Sequence, residues 1–337
     1  MQRNISVANY VGVLVLLLLA TGAARAEPVR MTAAVFGTDA EVEIRGLPPE
    51  QAGAAAQAAL REMFDLSQLF DPSGSLPGSL GALNAAAGAD FLELESRSAD
   101  MLRRGLQYCL WTNGAHGPLG GELYALWKDP ERIPDPIDLR DAVISAQCNQ
   151  ITLRLEEETR LVGGLAAGSR IEMVGMARGF AIDRAVEVLR EAGVSNAWLE
   201  IGNVRRGLGG GPDGDGWLTR LPSVPGNREP TDQIWLREQA LAVVSIEPIG
   251  DELPIRYIDQ RTGVPARGVV MVAAVTEEAA DAEALAASLF ITGFRQGNMR
   301  LGALQPRPSV LWWLGEGKGE PLQSTYRWSE LARVKRR

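Results

Sequence analysis

The chain has 337 residues, with 34 basic and 42 acidic side chains, a net charge of −8 and a pI near 5.0. Hydrophobic residues make up 46% and charged residues 23%, which suits a globular chain with a sizeable core and excludes collagen-like, coiled-coil and disordered classes. The acidic balance argues against a nucleic-acid partner, and the one histidine, His116, excludes a multi-histidine metal centre.

Residues 1–26 read as an export signal. Arg3 is the only charge before an apolar run over residues 11–20, and Ala24-Arg25-Ala26 places small residues at −3 and −1 of a cut before Glu27. The run is short for a membrane span; an uncleaved anchor is the alternative. Removing the segment, with its two arginines and no acid, takes the net charge from −8 to −10. The expectation is a periplasmic or otherwise exported protein that is not transmembrane after cleavage, with one domain over residues 27–337. Cys109 and Cys148 are the only cysteines. An oxidising compartment permits them to pair, and two buried free thiols fit the sequence equally well.

A strand is expected over residues 31–44. Pro48-Pro49 then starts a helix toward Phe70, with Ala56, Leu60, Met63, Phe64 and Leu69 on its inner face. Residues 71–81 read as a loop. A helix over 98–112 turns Met101, Leu102, Leu106 and Leu110 inward, and 127–136 is a proline-punctuated connection. Strands are expected at 151–155, 169–173, 198–201, 269–275 and 310–314, and helices at 179–191 and 277–291. Gly193 marks a helix stop, residues 207–216 a glycine-rich hairpin loop, and 327–337 a solvated basic end. Helices and strands alternate without regular βαβ units, so the fold class is α+β, with mixed sheets and helices around one main core.

The glycine-rich stretch lacks the Gly-Lys-Ser/Thr ending of a phosphate-binding loop, and no Gly-x-Ser-x-Gly elbow exists. Two other segments carry more chemistry. Ile171-Glu172-Met173-Val174-Gly175-Met176-Ala177-Arg178-Gly179-Phe180-Ala181-Ile182-Asp183 places a glycine turn and a cation at a helix start, an arrangement suited to phosphate. Asp259-Gln260-Arg261-Thr262-Gly263-Val264-Pro265 reads as a rigid turn feeding a buried strand, with an acid on the helix beyond.

At these residues the sequence resembles the FAD:protein FMN transferases, the ApbE-like flavin transferases. The family pattern runs Asp-Leu-Gly-Gly-Ile-Ala-Lys-Gly-Tyr-Ala-Val-Asp at the first segment. At the second it runs His-Ile-Ile-Asp-Pro-Arg-Thr-Gly-x-Pro, then Ala-Asp-Ala-Leu-Ala-Thr-Ala-Leu-Phe. Gly37-Thr38, Ser79 with Leu83-Asn84, Gly114-Ala115-His116-Gly117-Pro118 and Leu126-Trp127 follow its other elements in order. The resemblance implies a flavin transferase-like fold, export, FAD and magnesium, and transfer of FMN to a threonine of an exported or membrane redox protein, with AMP leaving. It assigns Arg178 and Arg256 as catalytic cations on the pyrophosphate. It assigns Ala115, His116, Gly117, Arg178, Asp259 and Thr262 to FAD, between the helix start and the Asp259 turn. The carbonyl of Gly175 and the carboxylate of Glu283 fall to the metal.

The departures fall on the chemistry. The family lysine is Arg178, its histidine Arg256, its proline Gln260, and its metal-binding aspartate and threonine are Glu283 and Ala287. Its Phe-Asp pair is His116-Gly117, and its paired glycine and aspartate after the middle strand align with Gly202-Asn203-Val204. The alternative to an active transferase is therefore a relative that binds FAD, or acts as an assembly scaffold, without turnover.

Overall fold

The computed structural model describes residues 27–129, 133–157, 160–223, 232–246, 257–315, 322–331 and 333–334. Residues 1–26, where an export signal is expected, and Arg256 lie outside the described residues.

The chain opens with β1 (Val29–Val35) and β2 (Thr38–Ile44), an antiparallel hairpin where one strand over 31–44 is expected. The break is the two-residue turn Phe36-Gly37, both at positive φ (50° and 73°), the backbone twist that a tight hairpin needs. Helix α1 (Pro49–Leu69) starts with proline in its first turn and buries Ala52, Ala56, Leu60, Met63 and Leu66. Phe64 is 48% exposed, because it sits one residue past Met63 and is rotated off that face. α2 (Leu80–Ala85) is capped by Ser79, whose Oγ accepts from the Ala82 N–H.

After β3 (Leu92–Glu93) comes α3 (Ser96–Trp111), capped by the Glu95 carboxylate. Its buried positions are Met101, Leu102, Gly105, Tyr108 and Cys109, and Leu110, next along the helix, is 72% exposed. α4 (Gly121–Leu126) and α5 (Pro136–Ser145) follow. α5 is not expected from its weak periodicity, yet Asp135 and Pro136 provide cap and first turn. A 3-10 turn (Cys148–Gln150) leads into β4 (Ile151–Glu156) and β5 (Arg160–Leu165), which with β3 form a small sheet of order β3-β5-β4. Cys109 and Cys148 are joined as a disulfide, with Cα atoms 6.0 Å apart, fastening the end of α3 to the 3-10 turn.

Residues 169–173 are not a strand. Their one ladder contact is the bridge between Leu119 and Glu172, and Asn84 holds Ile171 at both backbone groups. Ile171 and Met173 alternate inward because the segment threads the core. α6 (Ala177–Glu191) follows, then β6 (Ala197–Ile201), β7 (Val204–Leu208), β8 (Trp217–Arg220), β9 (Gln233–Leu236), β10 (Gln239–Ser245), β11 (Ile258–Asp259), β12 (Val264–Pro265) and β13 (Val269–Thr276). α7 (Ala279–Leu301) carries a break at Gly293 and precedes β14 (Ser309–Leu314), β15 (Leu322–Tyr326), α8 (Trp328–Leu331) and β16 (Arg333–Val334).

Eight strands form one antiparallel sheet, ordered β1-β2-β6-β7-β10-β13-β14-β15. Helices α1, α6 and α7 share one core with its inner face. The other face builds a second cluster around Trp198, Trp217, Met271 and Leu311, covered by a three-stranded sheet of order β16-β9-β8. Central β10 and β13 are buried on both faces, which explains their continuous apolar runs. The basic end is not wholly solvated: Trp328 is buried in the second cluster and donates through Nε1 to Asp232. Among the described residues, no helix is long and apolar enough to cross a membrane.

Helices α6 and α7 start side by side. A Cβ on Gly179 would lie 2.2 Å from the Ala279 carbonyl oxygen, so only glycine permits this approach. Each helix also supplies the other's first turn with an acid. Glu283 of α7 accepts from the Gly179 N–H at 2.8 Å, and Asp183 of α6 accepts from the Ala279 and Ala280 N–H groups, both at 2.8 Å.

Candidate functional site: a cleft at the start of helix α6

The α6 start lies on a cleft of about 410 Å³. Phe36, Phe70, Met173 and Tyr257 contribute apolar walls, and Asp71, Glu172, Arg178, Asn203 and Glu283 contribute polar ones. Phe36 arrives on the β1–β2 turn and Phe70 at the end of α1, where its ring meets Phe180 edge-on at 5.6 Å. Tyr257 packs on Phe290 at 5.4 Å. Such a cleft suits a ligand with a planar ring and an anionic tail.

Arg178 is the second residue of α6 and lines the cleft. Its Nη1 donates to the Asn203 Oδ1 at 3.1 Å, and Asn203 Nδ2 donates to the Val243 carbonyl on β10. The guanidinium is thereby tied to the sheet. Helix start and cation add their fields at one point, favouring a phosphate there. Glu172 is half-buried on the same wall, and burial raises its carboxyl above the ordinary range against the lowering influence of Arg170.

Gly175, Arg178 and Glu283 thus line one cleft. The other assigned residues lie elsewhere. Ala115, His116 and Gly117 are buried beneath the cleft and none of them lines it. The Ala115 and Gly117 carbonyls accept from the backbone and side-chain N–H groups of Gln260. Asp259 grips Arg261 at 2.6 Å and accepts its backbone N–H, while Thr262 completes that turn at the surface. The cleft receives Tyr257 from that end of the chain, not Asp259 or Thr262. Phe36, Glu172 and Tyr257 are the residues that sequence reasoning missed. The Gly37-Thr38 element beside Phe36 and the Met173-Gly175 turn beside Glu172 are the signals that point near them.

The magnesium expectation can be tested on the donor set. Glu283 is 4% exposed and has one oxygen engaged by the Gly179 N–H. Ala287 offers no oxygen, and its Cβ would stand 2.6 Å from a Cβ on Gly175, so α7 closes tightly on the turn. No group of three or more histidine, cysteine, aspartate or glutamate side chains converges for a metal among the described residues. Magnesium takes near-octahedral oxygen coordination, usually from one or two carboxylates with waters and substrate phosphates; here one Glu283 oxygen is already engaged and Ala287 adds none, so Glu283 and Ala287 supply few of the six positions.

His116 fills the space behind the turn. Its Nδ1 lies 2.9 Å from Ser288 Oγ and its Nε2 3.1 Å from the Val174 carbonyl oxygen. Since a carbonyl only accepts, Nε2 carries the proton in the neutral ring and Nδ1 accepts from the serine hydroxyl. Burial lowers the His116 pKa to about 4. A folded pKa below the unfolded 6.5 means that the unfolded chain takes the proton first. The stability due to neutral His116 is then present above pH 6.5 and lost as pH falls toward 4, by roughly 3 kcal/mol. With a single histidine, one imidazole resonance reports this directly: it is expected to stay neutral down to about pH 4. The stability advantage of the wild type over His116→Gln should shrink between pH 6.5 and 4. An imidazole titrating near 6.5 would contradict the buried placement.

Comparison with known proteins agrees with this architecture. The model of the ApbE family matches residues 36–309. A curated FAD:protein FMN transferase of Treponema pallidum (strain Nichols) is 28% identical over 316 residues, covering 85% of this chain and 86% of that protein. The crystal structure of the ApbE protein of Thermotoga maritima MSB8 superposes with a TM-score of 0.75 at 21% identity, over 88% of this chain and 97% of that one. The flavin transferase ApbE of Vibrio cholerae superposes with a TM-score of 0.74 at 19% identity, over 89% and 97%. The α+β fold is thus that of the solved flavin transferases, and, with its model spanning everything from the β1–β2 turn to the start of β14, the chain belongs to the ApbE family.

Proposed function

We propose that the protein binds FAD in the α6 cleft and transfers FMN to a threonine hydroxyl of an exported or membrane redox protein. The carrying observation is Arg178, braced by Asn203 at a helix start beside the aromatic walls of Phe36, Phe70 and Tyr257. The ring system takes the apolar walls and the pyrophosphate takes Arg178, joined by Arg256. In the reaction the threonine oxygen bonds to the FMN phosphorus, the bond from that phosphorus to the AMP phosphate oxygen breaks, AMP leaves, and the hydroxyl proton passes to solvent. The name of the Treponema pallidum relative supports the same reaction. Export through residues 1–26 to the periplasm, with one domain from residue 27 onward, is part of the proposal; the Cys109–Cys148 bond supports an oxidising destination.

A second reading, FAD held without turnover, is favoured by one observation: one Glu283 oxygen is taken up by the Gly179 N–H and Ala287 has no oxygen to give. Flavin fluorescence titration of the mature protein with and without magnesium separates the readings, followed by mass spectrometry of a threonine-bearing acceptor. The expected result is FAD binding whose affinity changes less than about threefold with magnesium, because Glu283 and Ala287 offer few of the six oxygen positions magnesium takes. A covalent flavin on the threonine supports transfer, bound FAD with no adduct supports the holding role, and absence of FAD binding rejects both.

A further inference from the structure

A second cleft, of about 900 Å³, lies at the other end of α6. Arg178 opens the helix at the flavin cleft and Arg190 closes it here, some 18 Å away at the rise of an α-helix. Its lining includes five arginines and three glutamates, an excess of positive charge in a chain of net charge −8. Two of the glutamates are already engaged. Glu238 pairs with Arg190 at 3.0 Å and accepts the Gly209 N–H, and Glu278 pairs with Arg104 at 2.7 Å.

The decisive residue is Arg206 on β7. It is 6% exposed, contributes to the cleft wall, and has two guanidinium nitrogens, Nε and Nη1, with no hydrogen-bond partner. Asp183 attracts it, but the Asp183 carboxylate already accepts the two α7 amides. A buried guanidinium with unmet donors is costly unless an anion completes it. Arg237 and Arg307 stand at the exposed rim, where they add charge at little cost of burial.

We infer that this cleft is an anion site, separate from the flavin cleft, that takes a compact, multiply charged oxyanion of the phosphate or pyrophosphate class. A single carboxylate would meet the remaining Glu277 with too little charge of its own, whereas a pyrophosphate presents several oxygens to Arg206 and to the rim at once. The site does not depend on flavin transfer and stands or falls separately from it.

The test is calorimetric titration of the mature protein with inorganic pyrophosphate at physiological salt. The expected outcome is saturable binding that survives Arg178→Ala and weakens at least tenfold in Arg206→Gln. Because Arg206 is buried and that variant risks misfolding, the rim double variant Arg237→Ala/Arg307→Ala serves as the second probe, with the same tenfold loss and unchanged thermal stability. Absence of binding overturns the proposal. So does binding that the rim variant leaves intact, or that Arg178→Ala abolishes, since the anion would then sit elsewhere or in the flavin cleft.

Discussion

Replacing Arg178 with methionine is expected to lower the affinity for FAD by roughly ten- to a hundredfold. A charge-assisted hydrogen bond to a phosphate contributes about 1.5–3 kcal/mol, and methionine keeps most of the stem packing while removing the cation. Arg178→Lys should fall between the two, because an ammonium keeps the charge and loses the planar fork. Asn203→Ala should have a smaller effect in the same direction: it leaves the cation in place and removes the bond at 3.1 Å that aims it. Fluorescence titration measures all three, and equal FAD affinity in wild type and Arg178→Met would remove this arginine from the site.

The double variant Cys109→Ser/Cys148→Ser should lose the second large amount, about 4 kcal/mol of stability. The bond spans a sequence separation of 39 residues, and closing a loop of that size removes about that much chain entropy from the unfolded state. For a chain this long the expected fall in Tm is on the order of 6 °C. Cys109 is fully buried, and a Cβ on Gly117 would come within 2.7 Å of its sulfur, so the bond lies directly against the segment that carries His116. Hydrogen exchange at 114–117 should therefore rise in the variant more than in the distant β14. Unchanged unfolding curves in oxidising and reducing buffer would refute the role.

Much of this architecture can be read from the residues. Strong periodicity marks α1 and α6, and the apolar run of β13 marks a strand buried on both faces. The cleft is legible where a motif combines a glycine turn with a charge, as at Gly175 and Arg178. It is illegible where a side chain reaches the cleft from a distant segment, as Phe36 and Tyr257 do, because no local pattern encodes an encounter between a hairpin turn and a segment more than two hundred residues later. Helix α5 escapes notice because only Ala142 among its residues is buried. The segment 169–173 mimics a strand because alternation records burial, not ladder pairing. The resemblance assigns His116 to the ligand by its place in a motif, and only packing against Ser288 and Val174 reveals it as an interior support.

The exchange of carboxylates between α6 and α7 has a consequence for how this chain can change. Glu283 reaches Gly179 with the length of its side chain, and Asp183 reaches back to Ala279 and Ala280. Shortening Glu283 to the family's aspartate would withdraw its carboxylate by one methylene and release that amide, loosening one clasp of a two-way fastening. The two helices constrain each other's sequence, so a change at either acid is felt in the first turn of the other helix.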